Sequence, residues 1–373
     1  MGANDSLLKD VGQLLWVGFP GLEVDPALRK RIAAGHVGAA ILFRRNIALA
    51  GDGSGRSDPA AVAALNASLR EAAGDSADPL LIAVDQEGGR VQRVKDPVTV
   101  WSPMLGLSRV AGEEGLQLAT DVGKALGREL AALGFDIDFA PVLDVHTNDE
   151  NPIIGDRAFA TDPQRAAELA LAFADGLHSV GVLSCGKHFP GHGDTRTDSH
   201  LELPSLPHSL DRLEQVELLP FRRAAKAGLP ILMTAHIVFS AIDPDRPATL
   251  SPAVLNELLR NDIGYTGLVV SDDLDMKAIA DNYGTGDAAV AAVEAGCDAL
   301  LACNDLDTQH AIFDALVRAG EQRAPFRARL GEAAAAVRTL KQRHFSVERP
   351  AFGLDVVGTD AHRQLAERLA AAE

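Results

Sequence analysis

Cysteine is scarce, with three in 373 residues, at positions 185, 297 and 303. All three lie in or beside apolar segments. They read as small buried side chains rather than a disulfide framework, and a reducing compartment is expected. Basic residues are also short: 35 Lys and Arg stand against 52 Asp and Glu, a formal charge of −17. That balance repels nucleic acid and anionic membrane surfaces, and no local basic patch offsets it, so neither is an expected partner. No stretch approaches the roughly 20 apolar residues of a membrane span. The N-terminus carries Asp5 before any basic residue, and the apolar run Leu14–Phe19 is too short for a signal core, which makes the cytoplasm the expected location. The glycine fingerprint of a dinucleotide-binding sheet is missing too. Gly51–Gly55 comes well after a strand and ahead of Asp58-Pro59, which opens a helix, so it reads as a surface loop. Met1-Gly2 with Ser6 matches a loose lipidation pattern and Asn66-Ala-Ser68 a glycosylation sequon, but patterns this short arise by chance and carry no expectation.

What is present is a large apolar fraction, 47%, enough for a substantial core. Short apolar runs ending in a polar or glycine-rich turn recur eight times: Leu14–Gly18, Ala39–Phe43, Leu80–Val84, Ile137–Val142, Val182–Cys185, Ile231–Thr234, Leu268–Ser271 and Ala299–Cys303. Between them lie segments of helical spacing, among them Ala60–Ala73, Gly115–Leu133, Pro163–Val180, Leu210–Ala227 and Pro252–Asn261. Near-continuous apolar strands alternating with helices call for a parallel sheet covered on its outer face, and eight such units close into a (β/α)8 TIM-like barrel. A single catalytic domain over residues 1–373 is expected. From about Ala324 the chain shows a helical pattern, a Pro350–Gly358 linker and a short final helix, so a helical tail begins at about residue 345.

Such barrels place their chemistry at the C-terminal ends of strands. Asn46, Asp85, Asp144, Lys187, His188, His236, Asp272, Asp273 and Asn304 occupy those positions. Some must serve as helix caps or loop anchors, because carboxylates and amides at strand-to-helix turns satisfy free backbone N–H groups. The densest stretch runs from Lys187 to His200. Its glycines and Pro190 break regular structure, so Asp198 and His200 ride on a loop able to move over a substrate. Two apart in an extended segment, their side chains point the same way, and a carboxylate that orients an imidazole is a ready acid/base unit near neutral pH. The competing reading takes His188, His192, Asp194 and His200 as metal ligands of a metal-dependent barrel hydrolase. It lacks a helical His pair at i and i+4. A second stretch ends a buried strand with Ser271-Asp272-Asp273, where a carboxylate could attack an anomeric carbon, but periodicity leaves open which aspartate acts.

Ser271-Asp272, at the end of its Gly-apolar strand, resembles the nucleophile signature of family 3 glycoside hydrolases, in which the Asp after Ser or Thr attacks; the resemblance picks Asp272. The segment from Lys187-His-Phe-Pro-Gly-His-Gly-Asp194 to Asp198-Ser-His200 is similar to the β-N-acetylglucosaminidase (NagZ-type) branch of that family. The likeness spans about Gln13 to Arg343, and Asp262 departs from the family pattern of Glu, Gln or Lys. The resemblance implies His200 as acid/base assisted by Asp198, and sugar binding by Asp85, Arg93, Arg157, Lys187 and His188. Arg93 and Arg157 could also simply pair with barrel-top acids. His192, His236, Asp144 and Asn304 are expected to support loops.

The resemblance further implies a retaining, exo-acting β-N-acetylhexosaminidase that removes terminal GlcNAc from peptidoglycan fragments through a covalent glycosyl-enzyme. No metal and no organic cofactor is expected, and the chain is expected to act as a monomer. A family 3 β-glucosidase and a GlcNAc phosphorylase are the variants on the same barrel, since a neutral imidazole places less negative charge near an incoming phosphate.

Overall fold

A computed structural model describes residues 3–74, 78–196 and 203–372. All eight apolar runs become strands of one closed parallel barrel: β1 Leu15–Gly18, β2 Ala39–Leu42, β3 Leu81–Val84, β4 Ile137–Asp138, β5 Leu183–Phe189, β6 Ile231–Thr234, β7 Leu268–Asp273 and β8 Ala299–Ala302. Each pairs with its sequence neighbours, and β1 closes on β8 through Leu15↔Leu300 and Val17↔Ala302. Two strands run further than their apolar stretches, β5 through Lys187-His188 and β7 through Asp272-Asp273, because ladder pairing continues past the point where the side chains turn polar.

Alternation along each strand separates two cores. Inward positions, among them Trp16, Ile41, Leu81, Ala83, Ile137, Phe139, Cys185, Ile231, Met233, Leu268, Val270 and Leu301, fill the barrel. Trp16 stacks on Phe139 across it, with ring centroids 6.5 Å apart. Outward positions such as Val17, Leu42, Ile82, Leu232, Val269 and Leu300 pack under the surrounding helices.

Helix starts follow local chemistry. Three helices, Pro26–Ala33, Pro59–Ala73 and Pro163–His178, begin with Asp-Pro, in which the Asp side chain accepts backbone N–H groups of the first turn while proline supplies a pre-set φ. The segment Leu210–Ala227 is two helices, Leu210–Gln215 and Leu218–Ala227, because the backbone at Val216 leaves the helical region. The segment Ala253–Asp262 is wound as a π-helix. Gly51–Gly55 is an exposed turn, as its composition suggested. Asn66 of the sequon is fully buried, and its Nδ2 donates to the Leu133 carbonyl at 2.9 Å. The C-terminal segment is anchored rather than loose: Gly358 N–H donates to Glu129 at 2.7 Å, and helix Asp360–Ala370 packs on helix Gly112–Leu133. No helix among the described residues is long and apolar enough to cross a membrane.

Candidate active site

Above the top inward layer the same strand phase continues into polar side chains. Asp85 follows Leu81 and Ala83, Lys187 follows Cys185, and Asp272 follows Leu268 and Val270. These three line one cavity of about 510 Å³ at the C-terminal mouth of the barrel, together with Glu87, Arg93, Arg157, His188, His192 and Asp273.

Its floor is an ion-pair network. Lys187 Nζ donates to Asp85 at 2.9 Å and lies 2.6 Å from Glu87; Arg93 reaches Asp85 at 3.0 Å; Arg157 grips Glu87 with two bonds of 2.8 Å. Two carboxylates therefore face three cations. Burial alone would raise the Asp85 and Glu87 pKa values, but the cations outweigh it: Lys187 and Arg93 hold Asp85 far below the usual carboxylate range, and Arg157 and Lys187 bring Glu87 to about 2. Burial would likewise lower Lys187 and Arg157, and their carboxylate partners keep both above their ordinary values. Asp85, Glu87, Lys187 and Arg157 therefore stay charged near neutrality, and with the Arg93 guanidinium they form a fixed fork of donors and acceptors suited to vicinal hydroxyls.

The hairpin that carries this network, Gln86–Gly88 paired antiparallel with Val91–Gln92, turns through Gly88 and Gly89 at φ of +96° and +55°, which only glycine adopts readily. Gln86 knits its base, accepting from Arg93 N–H and Val94 N–H and donating to the Val94 carbonyl. Two guanidinium groups stand over the Phe43 ring, Arg45 at 4.7 Å and Arg93 at 5.8 Å from its centroid.

Next to Lys187 on β5, His188 Nδ1 is 2.7 Å from Asp144, which also accepts from the backbone N–H groups of His188 and His192. A carboxylate taking three donors must receive Nδ1–H, so Nε2 is the nitrogen left on the cavity side of His188. Burial would raise the Asp144 pKa, but His188 and His192 bring it below the ordinary value. Burial and the neighbouring His188 push His192 down to about 4, a neutral ring whose Nδ1 pairs with Thr195 Oγ1 at 2.7 Å.

Asp272 Oδ1 accepts from Asp273 N–H at 2.8 Å. The Asp273 carboxyl turns back into the scaffold, accepting from Cys303 N–H and Asp275 N–H, and its carbonyl accepts from His236 Nε2 at 3.0 Å. Burial and the nearby Asp275 and Asp272 charges raise the Asp273 pKa to about 7.

Of the residues expected from sequence, Asp272, Asp85, Arg93, Arg157, Lys187 and His188 are brought together in this cavity, and Arg93 and Arg157 do pair with barrel-top acids. Asp198 and His200 lie outside the described residues. Asn46 is a loop anchor, donating to the Phe19 and Gly21 carbonyls. Glu87 was missed, although it lies two residues from Asp85 in an extended segment and so shares its face. Among the described residues no three His, Cys, Asp or Glu side chains group as metal ligands would. His188, His192 and Asp194 each engage a different neighbour, namely Asp144, Thr195 and His208.

A parallel eight-stranded barrel with an ionised carboxylate network and further aspartates at its C-terminal mouth has the groups that glycoside cleavage requires. The chain belongs to glycosyl hydrolase family 3: the model of that family's N-terminal domain matches residues 6–340. It is 41% identical to a β-hexosaminidase of Tolumonas auensis over 83% of this chain and 88% of that one. A family 3 β-N-acetylglucosaminidase from Paenibacillus sp. superposes with a TM-score of 0.88 at 40% identity, covering 98% of this chain and 68% of that one. NagZ from Neisseria gonorrhoeae, solved with N-trifluoroacetyl-D-glucosamine, gives a TM-score of 0.78 at 31% identity over 96% of this chain and 97% of that one.

Proposed function

We propose that this hydrolase removes terminal β-linked GlcNAc by double displacement with retention. The observation that carries the reading is the meeting of Asp272 with the Asp85–Arg93–Lys187–Glu87–Arg157 network in one cavity. Asp85, Arg93, Lys187, Arg157 and His188 hold the sugar hydroxyls and acetamide. An Asp272 oxygen forms a bond to C1 as the glycosidic bond breaks, and the leaving oxygen takes a proton from His200, which Asp198 orients. In the second step His200 takes a proton from water as the water oxygen bonds to C1 and Asp272 departs.

The names of the relatives, β-hexosaminidases and β-N-acetylglucosaminidases, support the hexosamine, and the aminosugar bound to the Neisseria enzyme supports it further. The substrates in this reading are GlcNAc-terminated peptidoglycan fragments, processed in the cytoplasm by the whole chain acting as one domain and one monomer.

Intact-mass analysis after incubation with a 2- or 5-fluoro GlcNAc donor tests the intermediate. An adduct on the peptide containing Asp272 is expected, and binding without an adduct overturns the covalent step. Turnover of aryl β-GlcNAc against aryl β-glucoside and β-xyloside, with and without phosphate, tests the substrate and the acceptor; preference for the glucoside overturns the hexosamine reading.

A further inference from the structure

The C-terminal segment closes a buried polar chain that ends behind the sugar-binding hairpin. Glu129, on helix Gly112–Leu133 and 1% exposed, is its hub. From one side its carboxylate accepts Gly358 N–H at 2.7 Å and faces His362 Nδ1 at 3.0 Å. From the other it accepts Thr99 N–H at 3.0 Å and Thr99 Oγ1–H at 2.7 Å. With every partner a donor, Nδ1 of His362 carries the hydrogen. The Thr99 carbonyl then accepts from Gln92 Nε2 at 2.8 Å, and Gln92 Oε1 accepts from Trp101 N–H at 3.1 Å. Gln92 immediately precedes Arg93, whose guanidinium is bonded to Asp85. The tail also presses on this segment directly: Gly358 has φ +59°, and a Cβ there would stand 2.1 Å from the Pro97 carbonyl oxygen.

We infer that Gly358 and His362 are positioning residues for the sugar site, acting through Glu129, Thr99 and Gln92 on Arg93. The inference rests on the proposed role of Asp85 and Arg93 in holding the hexosamine. A buried carboxylate with all its donors present sets the place of Thr99, whereas removal of one donor lets the carboxylate turn and the hairpin shift with it. Since the hairpin binds sugar without touching the reacting bond, the effect falls on KM rather than kcat.

His362→Ala, assayed on aryl β-GlcNAc well below its melting temperature, is expected to raise KM about tenfold, the scale of one misplaced hydrogen-bonded charge, with kcat changed less than about twofold. His362→Asn, which can place an N–H near the Nδ1 position, is expected to return KM close to that of the parent chain. Thr99→Val removes a donor at the other end of the chain, is expected to raise KM in the same way, and stands in should His362→Ala not fold. Arg93→Ala is run in parallel. If it raises KM while folded His362→Ala and Thr99→Val leave KM unchanged, the tail is only a structural brace and the inference is overturned. If Arg93→Ala also leaves KM unchanged, the reading of the sugar site falls and the inference with it.

Discussion

Asp272 and Asp273 are neighbours with opposite assignments. Asp272 continues the inward phase of Leu268 and Val270 toward the cavity, whereas the Asp273 carboxyl is tied to the Cys303 and Asp275 amides. Asp272→Ala is expected to lower kcat by about 10³-fold or more on every β-GlcNAc substrate. His200→Ala is expected to spare the first step for dinitrophenyl leaving groups, which need no proton, and to fail on alkyl ones. Equal loss on both would argue against His200 as the acid. Asp273 bears on stability. Its folded pKa, raised by burial and then by Asp275 and Asp272 to about 7, lies above that of an unfolded aspartate, so its ionisation opposes folding. The associated stability is fully present below pH 4 and lost as pH rises through about 7. Asp273→Asn keeps an Oδ1 acceptor for both amides. Chemical denaturation is expected to show the substituted chain gaining on the parent across that window, and parallel pH profiles would refute the assignment.

At the scale of elements, the Gln86–Gln92 hairpin carries the network because its two-residue period sets Asp85 and Glu87 on one side. Glu87→Gln leaves Arg157 and Lys187 with one carboxylate fewer in a buried site. A cost of about 3–5 kcal/mol in unfolding free energy is expected, together with a raised KM. Glu87 has a depressed folded pKa, so its contribution is present above pH 4.5, the ordinary value, and is lost as pH falls through about 2. The stability difference between parent and Glu87→Gln should therefore shrink toward acid, and a constant difference from pH 6 to pH 2 would count against the ion-pair account. Element positions were largely legible beforehand: each barrel strand begins in an apolar run, and Asp58-Pro59 marks a helix start. The polar extension of β5 through Lys187-His188 was not, because apolar periodicity stops where the chemistry begins.

Across the whole molecule, the face opposite the cavity is held by another buried carboxylate. Asp136, just before β4, accepts from Arg70 at 3.0 Å, Arg349 at 3.1 Å and Ile82 N–H at 3.0 Å, and pairs with His344 at 2.9 Å, tying helix Ala324–Ser346 and the segment after it to the barrel bottom. Burial would raise its pKa, but His344 and Arg70 keep it low. Asp136→Asn is expected to cost about 3–5 kcal/mol in denaturant unfolding while kcat/KM at 25 °C stays within about twofold, since its partners Arg70, Ile82, His344 and Arg349 do not line the cavity. A comparable loss of activity in the folded protein would show the two faces to be coupled.

Strand phase, helix starts and the strand-end inventory are local properties, readable from periods of two and 3.6 residues, and the sequence by itself determined them, together with the candidacy of Asp85, Lys187 and Asp272. Only the tertiary structure decided who meets whom: Lys187 with Asp85 across 102 residues, Arg157 with Glu87 across 70, and His362 with Glu129 across 233. No local period encodes such pairs. They come into contact because eight strands close into a ring, which brings the ends of distant segments to one mouth and leaves each buried charge stable only beside an opposite one.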